Sequence, residues 1–371
     1  MNVLIAPNAF KGTVSARRAA DILARAVRRA EPTARVRVLP LADGGDGTLD
    51  ALSDRPGAVR RWATVRGPRG RRVRAPWLWF AGARRAVVEM ARASGLALLR
   101  SGGRDPERTT SHGTGQLIDA ARRAGAKEIW VGLGGTATVD GGAGLLQAMG
   151  LDLDRDGVRL TAPAVGGDLG RMTRINAGKF RRRWAGVRFT LLTDVRNRLN
   201  GARGAARVFG PQKGADKVQV ARLARGLQKW GDALVRAGGR NPRRLVGGGA
   251  AGGAAAGLWS LTRARVAPGA RWLADAAGLR AAVAWADWIV TGEGGVDATS
   301  FEGKLTGEIL RLARRRKIPA TVVAGSATPA AAGRIRRWGA RLCLLGPAPR
   351  NSAARRMISR TRGLVPPKEI R

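Results

Sequence analysis

The sequence has almost none of the residues that build disulfide scaffolds or zinc sites. Its 371 residues include one cysteine, one histidine and no tyrosine. A single cysteine cannot form an internal disulfide, and one cysteine with one histidine cannot supply the ligands of a structural zinc site. No apolar run approaches the ~20 residues of a membrane span, and the first residues lack the charged and apolar regions of a signal peptide. We therefore expect a cytoplasmic protein without a membrane segment.

Acidic residues are also scarce relative to basic ones. There are 26 Asp and Glu against 68 Lys and Arg, which gives a formal net charge of +42, and 59 of the basic residues are arginine. Clustered arginine binds nucleic acid by neutralising phosphates and releasing counterions. Here arginine is spread along the whole chain, with short runs only at 181–183 and 314–317. We expect nonspecific association with anions, and a dedicated Arg-rich nucleic-acid-binding protein is the alternative.

Both ends of the chain alternate apolar strands with amphipathic helices, and this rhythm favours a parallel sheet. Near the start, strands at 3–6 and 35–39 flank one helix. Ser15 is the expected N-cap of that helix, which ends at Ala30. The C-terminal part has strands at 288–291, 320–324 and 341–345, and helices at 272–285, at 305–316, before 338 and at about 352–361. The sequence therefore predicts an α/β fold with a flavodoxin- or Rossmann-like parallel sheet built from both chain ends.

The middle of the chain is rich in glycine, with dense segments at 132–150, 201–214 and 247–257. We expect it to form a second α/β domain that is inserted into the first. On this view residues 1–65 and 270–371 make a discontinuous flavodoxin-like domain, and residues 66–269 make the inserted domain. Ligands of open parallel sheets bind beyond the carboxyl ends of the strands, so an active-site cleft is expected between the two domains.

The residues suited to chemistry at the two chain ends lie in glycine-rich turns after apolar strands. Lys11, in PNAFKGT, follows the first strand and could meet an anionic substrate. Asp43 and Asp46, in ADGGDGT, follow the second strand and could hold Mg²⁺ or a hydroxyl group, or form a simple tight turn. Glu293 and Asp297, in TGEGGVD, are followed by Lys304. Two carboxylates near a lysine suit the metal-assisted transfer of a charged group.

The middle of the chain carries further candidates but no established phosphate-binding loop or dinucleotide fingerprint. The run GGTATVDGGAG at 134–144 can form an anion nest in which Asp140 orients Mg²⁺ or a hydroxyl group. Thr138 or Asp140 can also cap the next helix, which is compatible with that role. Asp194 ends an apolar strand, and Lys213 lies in the turn FGPQKGA. His112, in a polar turn, fits no catalytic triad, and we expect a structural role for it.

Taken together, these segments resemble the bacterial glycerate kinase family of the two-domain α/β type. The patterns of that family are APDSFKG, ADGGEGT, GGSATxDGG, FGPQKGA and TGEGxxD with a following Ser and Gly-Lys. Here they read APNAFKG at 6–12, ADGGDGT at 42–48, GGTATVDGG at 134–142, FGPQKGA at 209–215 and TGEGGVD at 291–297, with Ser300 and Lys304 following. The set keeps the family's order and is specific. The resemblance implies ATP- and Mg²⁺-dependent phosphorylation of D-glycerate to 2- or 3-phosphoglycerate.

The resemblance also implies which residues form the site. The expected catalytic residues are Asp297, Asp194 and Lys11, with Asp297 the first choice of general base and Asp194 the second. The expected Mg²⁺ ligands are Asp140, Asp194 and Glu293. The residues expected to bind glycerate or ATP are Asn8, Lys11, Asp43, Gly44, Gly45, Gly135, Thr136, Lys213, Gly292, Glu293, Ser300 and Lys304.

Two departures from the family pattern bear on this expectation. Asn8 stands where the family usually has Asp, and Gly295 stands where it commonly has Arg. These changes bear on efficiency and substrate preference more than on the reaction class. Besides the nucleic-acid-binding protein, the other alternative to a glycerate kinase is an inactive family member that is kept for binding a partner. The sequence predicts no oligomeric state.

Overall fold

The structure is a computed structural model that describes residues 1–10, 13–45, 47–99, 102–347, 349, 352–362 and 364–365. Its strands are β1 (Asn2–Pro7), β2 (Arg35–Val38), β3 (Ala58–Arg66), β4 (Arg72–Phe80), β5 (Arg85–Glu89), β6 (Glu128–Gly132), β7 (Asp152–Arg155), β8 (Val158–Arg159), β9 (Met172–Asn176), β10 (Arg188–Leu192), β11 (Arg265–Ala267), β12 (Trp288–Val296), β13 (Ala320–Ala327) and β14 (Ala340–Leu344).

Its α-helices are α1 (Ala16–Ala30), α2 (Thr48–Leu52), α3 (Ala91–Ser94), α4 (His112–Arg123), α5 (Ala143–Ala148), α6 (Gly178–Trp184), α7 (Ala205–Phe209), α8 (Lys217–Arg236), α9 (Ala254–Leu261), α10 (Gly269–Ala276), α11 (Leu279–Trp285), α12 (Leu305–Arg315), α13 (Pro329–Arg337) and α14 (Ala353–Arg360). Among the described residues, no helix combines the length and the apolar composition needed to cross a membrane.

The chain divides into two compact units. Unit 1 consists of Met1–Asp43, Asp50–Arg55 and Pro268–Arg371, and unit 2 consists of Gly44–Leu49 and Pro56–Ala267. β3 belongs to unit 2, whereas the expected boundary after residue 65 puts nearly all of it in the first domain. It lies there because it pairs with β4 along its whole length in an antiparallel ladder. A pairing partner later in the chain therefore decides where β3 belongs.

Unit 1 contains one five-stranded sheet in the order β14-β13-β12-β1-β2. Every neighbouring pair of strands is parallel. Renumbered within the unit, this order is 2-1-3-4-5, which is the doubly wound order of flavodoxin. The expected α/β fold with a parallel sheet built from both chain ends is confirmed.

Alternate residues of these strands pack on opposite faces of the sheet, as the period of two of a strand requires. Val3, Ile5 and Val290 belong to a buried cluster with side chains of α1 and α14. Leu4 and Ile289 belong to a second cluster with side chains of α10, α11, α12 and α13. Unit 1 is therefore a three-layer α/β/α arrangement with helices on both faces.

Helix starts and stops in unit 1 follow local chemistry. The Ser15 side chain accepts a hydrogen bond from the Arg18 backbone N–H at 3.2 Å, which confirms Ser15 as the N-cap of α1. The single helix expected at 272–285 is in fact two helices, α10 and α11. They are separated at Gly278, whose φ of +75° is readily adopted only by glycine.

Unit 2 contains a six-stranded sheet in the order β11-β10-β6-β5-β4-β3 and a small three-stranded sheet in the order β8-β7-β9. Strands β5, β6, β10 and β11 run parallel, whereas β4 and β3 are antiparallel to their neighbours. Helix α8 starts with a capping box, in which Asp216 accepts from the Gln219 N–H at 2.7 Å and Gln219 accepts from the Asp216 N–H at 3.0 Å. A single buried cluster forms the core of this unit.

Candidate active site

A cavity of about 630 Å³ lies in unit 1 beyond the carboxyl ends of β1, β12, β13 and β14. Asp43, Glu293 and Lys304 line it. These three residues come from two parts of the sequence about 250 positions apart. Asp43 follows β2, whereas Glu293 lies near the carboxyl end of β12 in the same sheet, and Lys304 follows β12. The cavity includes the point between β1 and β12 where the strand order reverses, which is the usual ligand site of such sheets.

The end of β12 is built from glycine because its neighbour comes very close. A Cβ atom on Gly292 would lie 2.1 Å from the Val323 carbonyl oxygen of β13. The Gly292 carbonyl oxygen accepts the Asn8 backbone N–H at 2.8 Å, so β1 is fixed at the same level. The Asn8 side chain is buried, and its oxygen accepts the N–H of Ala9 at 2.8 Å. Gly292 and Asn8 therefore shape the strand ends beside the cavity.

Asp297 is held by the turn that follows β12. Its Oδ1 accepts hydrogen bonds from the Thr299 hydroxyl at 2.6 Å and from the Ser300 N–H at 3.2 Å. The hydrogen bond from Thr299 lowers the pKa of Asp297 below its ordinary value, and Lys304 acts in the same direction. The ammonium group of Lys304 hydrogen-bonds to Thr299 and lies 3.9 Å from Asp297. Asp297 and Thr299 thus position the lysine that lines the cavity.

Asp140 lies in unit 2, completely buried. Its Oδ2 accepts hydrogen bonds from the Ser111 N–H at 2.7 Å and the Ser111 hydroxyl at 2.6 Å, and its Oδ1 accepts the Gly142 N–H at 3.1 Å. Burial raises the pKa of Asp140, while these hydrogen bonds oppose the rise. Two of these three donor groups belong to Ser111, which precedes α4, and only the Gly142 N–H belongs to the 134–144 run. These hydrogen bonds give Asp140 a structural role, and Mg²⁺ binding by Asp140 stays a prediction.

Lys213 is another buried charged residue of unit 2 and is 3% exposed. Its ammonium group donates hydrogen bonds to the Thr138 carbonyl oxygen at 2.7 Å and to the Thr136 hydroxyl at 3.2 Å. Burial lowers the pKa of Lys213 to about 8, and the negative charge of Asp140 opposes this. The FGPQKGA turn and the GGTAT segment are thus in direct contact, which the sequence did not predict.

The glycines of the ADGGDGT segment fit against the ends of β6 and β10 in unit 2. A Cβ atom on Gly134 would lie 2.4 Å from the Cα of Gly45. Gly44 has a φ of +86°, and a Cβ there would lie 3.0 Å from the Leu192 carbonyl oxygen. The backbones approach so closely that side chains are excluded, which explains the glycines in both motifs.

Glu89, at the end of β5, holds the ADGGDGT segment and lies in none of the sequence motifs. Its buried carboxylate accepts the Gly47 N–H at 3.1 Å and the Leu49 N–H at 3.0 Å. The Arg92 guanidinium lies 3.2 Å from the same carboxylate. Glu89 therefore holds the segment Gly44–Leu49 in place. The sequence signal was available, because Glu89 is an acidic residue directly after the apolar run Ala86–Val88.

The remaining residues expected at the site differ in exposure and in position. Asp194 is half-buried two residues beyond β10, and Gly135 is exposed. The Ser300 hydroxyl is buried and accepts the Asp297 N–H at 3.2 Å. Lys11 and Asp46 lie outside the described residues. His112, expected in a turn, is instead the first residue of α4, and burial lowers its pKa.

The buried Lys213 makes protein stability depend on pH in an unusual direction. Between the folded pKa of about 8 and the ordinary value of 10.5, the unfolded chain binds more protons than the folded one. The free energy of unfolding should therefore rise with pH across this window. We expect the free energy of unfolding of the wild type to rise by ~3 kcal/mol, relative to that of a Lys213→Met variant, between pH 7.5 and pH 10.5. Urea denaturation at each pH measures this difference. Lys217→Met, at an exposed lysine, is the control. The difference between its free energy of unfolding and that of the wild type should not change with pH. An equally flat difference for Lys213→Met would contradict the buried, charged lysine.

The doubly wound sheet with a charged cavity at its switch point defines an α/β protein of the ligand-binding type. Comparison with known proteins specifies the family. The model of the glycerate kinase family matches residues 3–353. The chain is 38% identical to the glycerate kinase of Bacillus subtilis (strain 168) over 327 residues, which cover 88% of this chain and 85% of that protein. The chain therefore belongs to the glycerate kinase family.

Two further relatives agree with this placement. The chain is 36% identical to the glycerate 2-kinase of Escherichia coli (strain K12) over 329 residues, which cover 88% of this chain and 86% of that protein. A crystal structure of a Salmonella typhimurium LT2 protein, described as a glycerate kinase 2, superposes with a TM-score of 0.82. It shares 34% sequence identity, and the match covers 98% of this chain and 97% of that protein.

Proposed function

We propose that this protein is a glycerate kinase, which transfers the γ-phosphoryl group of ATP to a hydroxyl group of D-glycerate. The products are ADP and 2- or 3-phosphoglycerate, and the name of the Escherichia coli relative favours the 2-phosphate. The observation that carries the proposal is the meeting of Asp43, Glu293 and Lys304 at one cavity in a chain of this family. Carboxylates together with a lysine are the groups that phosphoryl transfer requires.

Lys304 supplies the positive charge in this proposal. Phosphoryl transfer spreads negative charge over the oxygens of the transferred group, and a fixed cation stabilises that charge most in the transition state. Thr299 and Asp297 hold the ammonium group in place before the substrate arrives. Lys304 therefore acts by charge and Asp297 by positioning, although the sequence made Asp297 the first choice of base.

The carboxylates at the cavity also fit the Mg²⁺ that the family resemblance implies. Mg²⁺ is usually held by one or two carboxylates together with phosphate oxygens and water, rather than by a cage of protein ligands. Asp43 and Glu293 provide two carboxylates at the cavity. Among the described residues, no group of three or more His, Cys, Asp or Glu could hold a metal ion. When bound with the nucleotide, Mg²⁺ would neutralise phosphate charge, and we propose that one of these two carboxylates, Asp43 or Glu293, is its protein ligand.

The remaining step is removal of the proton from the glycerate hydroxyl. The O–P bond to glycerate forms as the bond from the γ-phosphorus to the bridging oxygen of ATP breaks, and the proton passes to a carboxylate. Asp43 and Glu293 line the cavity, so we propose that whichever of them does not hold Mg²⁺ accepts it. Asp194, the second choice from the sequence, and a shared active-site cleft between the two units stay predictions. A cytoplasmic location and nonspecific binding of nucleic acid also stay predictions.

An assay of ADP release tests the function. The purified protein, with ATP and Mg²⁺, should turn over D-glycerate but not L-glycerate or hydroxypyruvate at a comparable rate. The product is identified as 2- or 3-phosphoglycerate by ³¹P NMR. Glu293→Gln and Asp43→Asn should separate the two carboxylate roles, because loss of the metal ligand raises the Mg²⁺ requirement and loss of the base alters the pH profile. ATP binding without turnover of any substrate would favour the inactive family member.

A further inference from the structure

The occupant of the cavity in unit 1 can be inferred from its walls. We propose that this cavity binds the nucleoside triphosphate, with its base against an apolar wall and its phosphates near Lys304 and Arg356. The inference rests on the proposed kinase function and specifies which of its two substrates the cavity takes. It also assigns a binding role to α14, which carries Arg356 and Met357 and which no sequence motif indicated.

The first argument is size and polarity. The cavity holds about 630 Å³, within the range of ~300–1,000 Å³ that encloses ligands of nucleotide size. One wall consists of apolar side chains that continue the buried core between the sheet, α1 and α14, namely Phe10, Val14, Leu345, Ala353 and Met357. Glycerate is a small anion with polar groups on every carbon, so it gains nothing from such a wall. A purine base has large flat apolar faces and does.

The second argument is the fixed position of Arg356. Its Nε donates a hydrogen bond to the Leu345 carbonyl oxygen at 2.8 Å. No other hydrogen bond of this side chain occurs within the part of the chain that the structure describes, so the planar Nη donors are available to a ligand. Gly346 has a φ of +75°, and a Cβ there would lie 3.2 Å from Nη2 of Arg356. The bare backbone thus makes room for the guanidinium group, which suits the planar oxygen pairs of a phosphate.

The third argument is the arrangement of charges around the apolar wall. Arg356 and Lys304 are both at the cavity, together with the carboxylates Asp43 and Glu293. Two cations and two carboxylates match a triphosphate that carries Mg²⁺, since the cations meet phosphate oxygens and a carboxylate meets the metal. A ligand with a single negative charge would leave much of this set without a partner.

Helix α14 lies almost wholly outside the region by which the family was recognised, because the family match ends at residue 353. The helix nevertheless packs into the same buried cluster as β1 and β12 through Ala353 and Met357. Its amphipathic sequence reads as an ordinary packing helix. Only the fold brings Arg356 to the carboxyl ends of the strands.

Substitution of Arg356 tests the proposal. Arg356→Gln keeps an N–H donor near the position of Nε for the Leu345 carbonyl oxygen, but it removes the charge and the Nη donors. We expect the KM for ATP to rise at least ~10-fold, with the KM for D-glycerate changed less than twofold. Arg356→Lys should recover part of the loss. Arg355→Ala, at an exposed position of the same helix, is the matched control and should behave as the wild type.

Calorimetric titration with ADP and Mg²⁺, in the absence of glycerate, gives a readout that does not depend on turnover. The Kd should rise by a similar factor in Arg356→Gln and stay unchanged in Arg355→Ala. A rise in the KM for D-glycerate alone would overturn the proposal and place glycerate in the cavity, and an unchanged KM for both substrates would also overturn it. Binding of ADP that depends on Arg356, in a protein that phosphorylates no glycerate, would support this inference while the proposed function failed.

Discussion

Replacing Lys304 by methionine should lower kcat/KM for D-glycerate phosphorylation by about 10²–10³-fold while the protein stays folded. The ammonium group lines the cavity and is held by Thr299 and Asp297, so its charge is in place before the transition state forms. Methionine keeps the apolar stem of lysine and removes only the charge. The side chain of Lys304 is 38% exposed, so its loss leaves no cavity in the core. Steady-state kinetics, with thermal unfolding to confirm the fold, measure the effect.

Two further variants make this result specific to the position of the charge. Lys217→Met removes an exposed lysine in unit 2 and should leave kcat/KM within about twofold of the wild type. Thr299→Val removes the hydroxyl that contacts both Lys304 and Asp297, and it should cause a smaller loss that falls mainly on kcat. If Lys304→Met keeps kcat/KM within threefold of the wild type, the assigned role of the lysine is wrong.

Replacing Asp140 by alanine should lower the free energy of unfolding by about 3–5 kcal/mol. The substitution leaves the Ser111 N–H, the Ser111 hydroxyl and the Gly142 N–H buried without their acceptor. It also removes the negative charge that favours the buried Lys213 ammonium group. Urea denaturation at pH 7, followed by circular dichroism, measures the change.

Asp216→Ala is the matched control, because Asp216 caps α8 at the surface of the same unit. Its loss should cost only ~1 kcal/mol. If Asp140 were chiefly a Mg²⁺ ligand, Asp140→Ala would keep nearly the stability of the wild type and would need more Mg²⁺ for half-maximal rate. A cost no larger than that of Asp216→Ala would therefore contradict the structural role.

Much of the fold was predictable because its signals are local. The helix from Ala16 to Ala30 followed from the spacing of its apolar residues and from the hydroxyl of Ser15. The parallel sheet followed from apolar strands that alternate with helices at both chain ends. The local signal was weaker at Gly278, where a left-handed residue divides one expected helix into two. Local signals could not show which unit contains β3, because this depends on its pairing with β4 later in the chain.

The site divides in the same way. The motifs identified Asp43, Glu293 and Lys304, and the fold brings these residues to one cavity. The motifs could not distinguish a buried carboxylate from an accessible one. Asp140 has the sequence context of a ligand residue, but its donors come from Ser111, 29 positions earlier. Arg356 is not marked by anything in its own neighbourhood of the sequence, whereas Glu89 follows an apolar run but lies in no motif.

The sequence by itself determined the family, the class of fold and the residue types available for phosphoryl transfer. These follow from the order of short motifs and from local periodicity, both of which are properties of neighbouring residues. Only the tertiary structure decided which charged groups are buried, which of them meet at a cavity and which helix forms its wall. Burial and proximity depend on contacts between segments far apart in the chain, and long-range packing sets the pKa of Lys213 and the position of Arg356.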